Sequence, residues 1–374
     1  MDINIEHINW TSLQHAGGAA IDTPAALLGL ASTEPLARIR AMDELYASIC
    51  LEGRVFQASP VVVPFLVQLA GTSEVQDRDR IVGLLLHMAT ASELPPDNDF
   101  SGEGGLDAGL LTSEPDHGWS GPTRESILLQ LPQLLGLLDD ADLAVRSAAA
   151  HLLACFHEAR DQICPQILRR LGKETESGAG ASLVLCLGVL AQGQDGYLDC
   201  LRQLSESDRP KIIQLAAIMA LARNLRGQAP THLLNRLIDF MTEPSEALAL
   251  AYEELPWSDS HLLGDCSLVL CYFGRRKKTL VVPDLLWALE RADSHSALNI
   301  AYALLYFNFG ASDPVRTNQT LSGLQSTALR AIADCDLLWQ RERDIRDLLR
   351  LFELPEWPDK IEDFLDSGSI EHKT

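Results

Sequence analysis

The chain has 374 residues, of which 47% are hydrophobic, with 52 acidic and 30 basic side chains and a formal charge of −22 at pH 7. So acidic a surface repels phosphate backbones, which argues against nucleic acid as a partner and favours a basic protein. No run of 18 apolar residues is present, so no membrane span is expected, and the opening Met-Asp-Ile-Asn-Ile-Glu has neither the basic region nor the apolar run of a signal peptide.

Along the chain, Trp10 and Leu13 come first, as candidate covers for the end of a first structural unit. Gly17 and Gly18 permit a tight turn, and Asp22 or Thr23 can cap a helix that Pro24 begins. Helical pairs are then expected at residues 24–50, 60–90, 122–156, 160–191, 196–225, 230–273, 279–309 and 317–351, with a capping segment in 352–374. Asp139, Asp140 and Asp142 precede one apolar helix, and Asp208-Arg209-Pro210 precedes another; both groups suit helix starts, where backbone N–H groups lack partners.

One pattern recurs in the second helix of these pairs: an arginine or apolar residue, a small residue three positions on, and an apolar residue four further. It reads Arg38-Ala41-Leu45, Arg146-Ala149-Leu153, Gln214-Ala217-Leu221 and Leu298-Ala301-Leu305, with a weaker copy at Gly264-Ser267-Cys271. Spacings of three and four keep these residues on one helical face. Ala149 to Ala217 is 68 residues, two steps of 34 with a unit near Val184 between them, and Ser267 to Ala301 is 34 again. Ala217 to Ser267 is 50, one step plus about 16 extra residues. A two-helix unit repeated at this interval predicts an all-α fold, a HEAT/armadillo-like α-solenoid of about eight helical pairs forming one domain over residues 1–374.

Two stretches break the period and are expected as loop insertions. The first, 91–121, is rich in proline and glycine and carries Glu93, Asp97, Asp99, Glu103, Asp107, Glu114 and Asp116 with no lysine or arginine. The second, 243–260, carries Glu243, Glu246, Glu253, Glu254 and Asp259. Each also holds one tryptophan, Trp119 and Trp257. A solvated acidic loop has no need of tryptophan, whereas interface hot spots are enriched in it. These acids from Asp97 onward and the two tryptophans are the expected partner-binding residues.

The segment Trp10-Thr11-Ser12-Leu13-Gln14-His15-Ala16-Gly17-Gly18-Ala19-Ala20-Ile21-Asp22-Thr23-Pro24 resembles a group of bacterial HEAT-repeat proteins that open with W-x-x-L-x-H-A-x-G-x-A-x-D-x-P. A second motif of that group, H-Q-G-x-V-x-x-A, is matched by Leu51-Glu52-Gly53-Arg54-Val55-Phe56-Gln57-Ala58, with Leu51 and Glu52 in place of histidine and glutamine. That departure argues against a chemical role for it. The resemblance implies protein binding, and for some such proteins an immunity-type role against secreted or contact-delivered toxins. It extends in detail over residues 8–66.

A search for chemistry yields little. The eight cysteines are scattered without a C-x-x-C pair and mostly lie among apolar residues, which suits a reducing cytoplasm, with neither a disulfide framework nor a zinc cage. His87 and His151 sit on apolar helices, and His151 and His157 are six apart, off a common face; no metal site is expected. No nucleophile elbow, phosphate loop or dinucleotide fingerprint occurs, so neither a cofactor nor an enzymatic activity is expected. Arg275-Arg276-Lys277-Lys278 reads as charge complementing a helix end near Gly274. The expected function is an interaction protein, of the type that neutralises a basic bacterial toxin. A cytoplasmic scaffold or assembly factor is the alternative, and a HEAT-like lyase or DNA glycosylase the distant one.

Overall fold

The computed structural model describes residues 5–91, 118–258, 261–310 and 321–367. Among these, 20 α-helices carry the fold, and the only strands are two hairpins with two residues per strand. The helices are α1 (Thr23–Gly29), α2 (Pro35–Ile49), α3 (Ser59–Ala70), α4 (Arg78–Ala89), α5 (Ser120–Leu129), α6 (Leu131–Gly136), α7 (Leu143–Ala154), α8 (Arg160–Leu171) and α9 (Ser177–Leu190). They continue as α10 (Asp195–Glu206), α11 (Lys211–Leu225), α12 (Thr231–Thr242), α13 (Glu246–Glu253), α14 (Leu262–Cys271), α15 (Lys278–Leu289) and α16 (Ser296–Asn308). The last are α17 (Gly323–Ala333), α18 (Asp336–Trp339), α19 (Glu342–Leu351) and α20 (Pro358–Ser367). Among the described residues the fold is all-α and HEAT/armadillo-like, with eight helical pairs in chain order followed by α20.

The described residues fall into two compact units that divide between Leu190 and Ala191. In the first, α4 packs on α7 and α7 on α9, while α3 packs on α5. In the second, α11 packs on α14 and α14 on α16, while α12 packs on α15 and α15 on α17. Each unit is therefore two layers, with the second helix of each pair in the inner one. The recurring small residue sits in that layer: Ala41, Ala149, Ala217, Ser267 and Ala301 are all buried, as is Val184. The inner helices α7, α9, α11, α14 and α16 are buried nearly all round, and Ile212 to Arg223 of α11 are buried without a break, the condition of a helix covered on every side. The outer helices α8, α10 and α12 are one-sided.

The leading arginine of the pattern has a defined partner. In the first unit Arg38 Nε donates to Asp77 at 2.7 Å, Arg78 Nη2 to Asp140 at 2.9 Å, and Arg146 Nε and Nη2 to Glu174 at 2.8 and 3.0 Å. Each acid lies just before the inner helix of the following pair, so the arginines form a ladder with one rung per pair. Arg78 was hidden from the sequence pattern because Ile81 occupies the small-residue position. In the second unit the polarity changes: Gln214 takes the arginine's place, and Arg236 Nη2 of the next pair donates to its Oε1 at 2.6 Å.

The two N-terminal motifs meet. The hairpin Gln14–His15/Gly18–Ala19 joins the hairpin Cys50–Leu51/Arg54–Val55 region through Ala58 N–H to Gln14 O at 3.0 Å and Ala16 N–H to Ser48 O at 2.9 Å. Glu52 and Gly53 turn the second hairpin with φ of 50° and 74°, which explains why this motif holds glycine. Two expectations change in detail. Trp10 packs on Phe65 of the second pair, ring centroids 6.4 Å apart. Asp22 stands at the start of α1 without capping it by its side chain; its carboxylate meets His15 Nε2 at 2.7 Å, and His15 Nδ1 accepts the Gly17 N–H at 2.9 Å. The motif is thus a local lock that fastens the chain's entry onto α1.

Helices α1 and α2 also approach each other closely. A Cβ added to Gly29 in α1 would lie 2.8 Å from the Cβ of Ala41 in α2. Gly29→Ala should therefore lower stability by about 1 kcal/mol, despite alanine's better helix propensity, because both atoms are fixed to helical backbone. A thermal melt at or above the wild-type midpoint would contradict this.

Candidate functional site

Of the residues expected to bind a partner, Asp97, Asp99, Glu103, Asp107, Glu114, Asp116 and Asp259 lie outside the described residues. Trp119 belongs to the first unit, immediately precedes α5 and is 40% exposed. The 91–121 insertion therefore gives way to helix at Ser120. The remaining residues, Glu243, Glu246, Glu253, Glu254 and Trp257, belong to the second unit, where the structure brings them onto one short segment.

That segment is not the loop its proline and acidic content suggested. Residues Glu246–Glu253 form α13, whose first turn is capped by the Ser245 hydroxyl accepting the Leu248 N–H at 3.3 Å. Leu248, Tyr252 and Leu255 recur at intervals of four and three, the spacing of one apolar face, and all three are buried. With this face α13 packs on α11 and α14. Tyr252 Oη donates to Asp265 Oδ2 of α14 at 3.0 Å, a buried bond to a buried carboxylate. The insertion therefore lies over inner-layer helices of its unit and supplies part of the cover that α11 needs.

The opposite face is solvent-facing. Glu243, Glu246, Glu253 and Glu254 are exposed, Leu250 is 57% exposed, and Trp257 just beyond is half-buried. At the far end, His261 places Nδ1 3.2 Å from Glu253 and Nε2 3.5 Å from Asp293. Asp293 itself precedes α16. Burial would raise its pKa, but the N–H groups of Ser296 and His295, the Ser296 hydroxyl and the His261 charge hold it below the usual carboxylate value.

The reactive inventory is sparse in chemistry. Burial pushes the Cys155 thiol up to about 12 and the Cys50 thiol up to about 11, so neither is a thiolate at neutral pH. All eight cysteines are free. His87 Nδ1 donates to the Gly83 carbonyl at 2.8 Å on its own helix. Among the described residues, no grouping of three His, Cys, Asp or Glu side chains could hold a metal ion, and no helix is long and apolar enough to cross a membrane. The basic run begins as a short 3-10 helix, Arg275–Lys277, after Gly274 with φ of 80°. Lys277 Nζ donates to Thr231 Oγ1 at 2.7 Å, which ties the run to α12, while Arg276 is exposed.

No protein-family model matches the sequence, and no curated protein matches it. Solved structures do. An engineered protein is 16% identical with a TM-score of 0.35, the match covering 92% of this chain and 99% of that one. Importin beta is 15% identical with a TM-score of 0.38, the match covering 94% of this chain and 52% of importin beta. At these scores the assignment of fold rests on the helical pairing described above.

Proposed function

We propose that this chain is a protein-binding helical-repeat protein whose partner is a basic protein, and that it acts as an immunity-type neutraliser of a basic bacterial toxin. The observation that carries the first part is the second insertion. A helix fixed by Leu248, Tyr252 and Leu255 turns Glu243, Glu246, Glu253 and Glu254 outward, on a chain of formal charge −22. The toxin is the partner class implied by the N-terminal resemblance. Neutralisation of this kind needs shape and charge at the partner's surface, with no reaction performed by this chain.

Charge and aromatic groups should divide the kinetics between them. Exposed acids steer encounter over distances that screening limits to about 8 Å at physiological ionic strength. Raising salt should therefore slow association with the native partner while dissociation changes little. Trp119→Ala or Trp257→Ala, where the ring enters a partner pocket, should instead speed dissociation at least about tenfold. The test is surface-immobilised kinetics with the partner isolated from the native cell, comparing both tryptophan variants with a variant in which the acids of both insertions are neutralised. Unchanged association and dissociation rates in all three would place the interface elsewhere. An isolated partner without toxic activity would remove the toxin reading and leave protein binding standing.

A further inference from the structure

The outward face of α13 presents more than charge. On a helix of 3.6 residues per turn, Glu246, Leu250, Glu253 and Glu254 fall within roughly 100° of one another, with Leu250 between the glutamates. Leu248 and Tyr252 point the opposite way and are each only 4% exposed. Leu250 is 57% exposed, whereas α13 is held to α11 and α14 by the buried Leu248, Tyr252 and Leu255, with the Ser245 cap and the buried Tyr252–Asp265 bond. An apolar side chain thus stands among three carboxylates on a helix that is already ordered.

We propose that this face docks a basic amphipathic helix of a partner protein, with an apolar partner side chain against Leu250 and lysines or arginines reaching Glu246, Glu253 and Glu254. The inference rests on the basic-partner reading above and specifies its chemistry. Charge complementarity selects the occupant: three glutamates within about a turn of Leu250 repel an acidic surface, including a second copy of this chain. Glu246 and Glu254 are separated by about 12 Å along the helix axis, the rise of eight residues, which two turns of a partner helix span. Because α13 is held in place before binding, contacts made on it carry no further cost of ordering it. An apolar contact enclosed by charged pairs also discriminates, since a basic segment without an apolar side chain forfeits the central contact.

The test uses the full chain and two synthetic peptides of leucine and lysine: one with helical amphipathic spacing, and one of the same composition with the order scrambled so that no apolar face forms. Binding is measured by fluorescence anisotropy at physiological salt. The amphipathic peptide should bind at least tenfold more tightly than its isomer. Leu250→Ser should abolish that preference while leaving the isomer's binding unchanged, and a combined E246Q, E253Q and E254Q variant should weaken both peptides. Equal binding of the two peptides, or a preference that survives Leu250→Ser, overturns the proposal. If the preference is absent but the glutamate variant still weakens both, only the basic-partner reading stands. If the glutamate variant changes neither peptide, both readings fail at this face. Dimerisation of the peptide-free chain, abolished by Leu250→Ser, would assign the face to a second copy and overturn the proposal too. Circular dichroism melts check that the variants fold.

Discussion

Glu174→Gln should cost about 3–5 kcal/mol of unfolding free energy, the loss expected when one partner of a buried ion pair is removed. The Glu174 side chain is 1% exposed and that of Arg146 is 6%. Glu174 accepts from Arg146 Nε and Nη2, from Arg170 Nε and Nη2 at 3.1 and 2.9 Å, and from the N–H groups of Thr175 and Glu176. A glutamine matches the shape but is neutral and offers a single acceptor oxygen, so Arg146 keeps its charge in the interior without the carboxylate that balanced it. Urea unfolding would measure the effect, and a loss below about 1 kcal/mol would mean that the pair is dispensable. The same group makes the protein acid-sensitive. Burial alone would raise the Glu174 pKa, but the hydrogen bonds from Arg146, Glu176 N–H and Arg170 overcome it and bring it down to about 2 from the usual 4.5. A depressed folded-state pKa means that the contribution is complete above about pH 4.5 and is lost as pH falls from there towards 2. Its size is on the order of 3 kcal/mol at neutral pH. Asp139, bonded by Arg169, and Asp140, whose bonds from Arg78 and the Asp142 N–H outweigh its burial, are lowered as well and act in the same direction. Stability plotted against pH should fall below about 4.5 in the wild type and be visibly flatter there in Glu174→Gln.

Ala217→Phe should cost about 3 kcal/mol, at the upper end for overpacking. Ala217 is 0% exposed at the middle of α11, where every residue from Ile212 to Arg223 is buried. The helices α10, α12, α13 and α14 all pack on α11, so a phenyl ring has no solvent side to turn towards. Its entry must push helices apart in both layers of the second unit. An unchanged melting temperature would show that the small residue of the repeat is not where helices meet.

What the residues disclosed and what they withheld follows from range. The inner helices were legible because their pattern is local: spacings of three and four fix a face whatever lies opposite. The ladder was not, since its partners stand 39, 62 and 28 residues apart in sequence and the acids resemble any helix cap. The 243–260 insertion was misread because Pro244, Pro256 and five acids dominate its composition. The contrary signal was present in Leu248, Tyr252 and Leu255, a two-turn stripe too short to stand alone but stable once laid on α11 and α14. The candidate acids of the first insertion fall within residues 92–117, outside the described residues. At the N-terminus, the resemblance singled out His15 and Asp22, and the structure joins the two in one hydrogen-bonded lock completed by the Gly17 N–H.

The ladder of the first unit has a consequence for how such a chain can grow. Every rung runs the same way, from an arginine of one pair to a carboxylate ahead of the next inner helix. Rungs of one direction are interchangeable parts. If a duplication inserted a copy of the pair α3–α4, each new arginine would find an acid in the next module and no charge would be stranded. If that pair were deleted, Arg38 would inherit the carboxylate that Arg78 now holds. The second unit, where Gln214 and Arg236 reverse the donor, does not share this currency, and a module moved there from the first would bring an arginine with no acid to receive it. Length is thus free to drift by whole pairs inside the first unit, while exchange of pairs between the units is penalised.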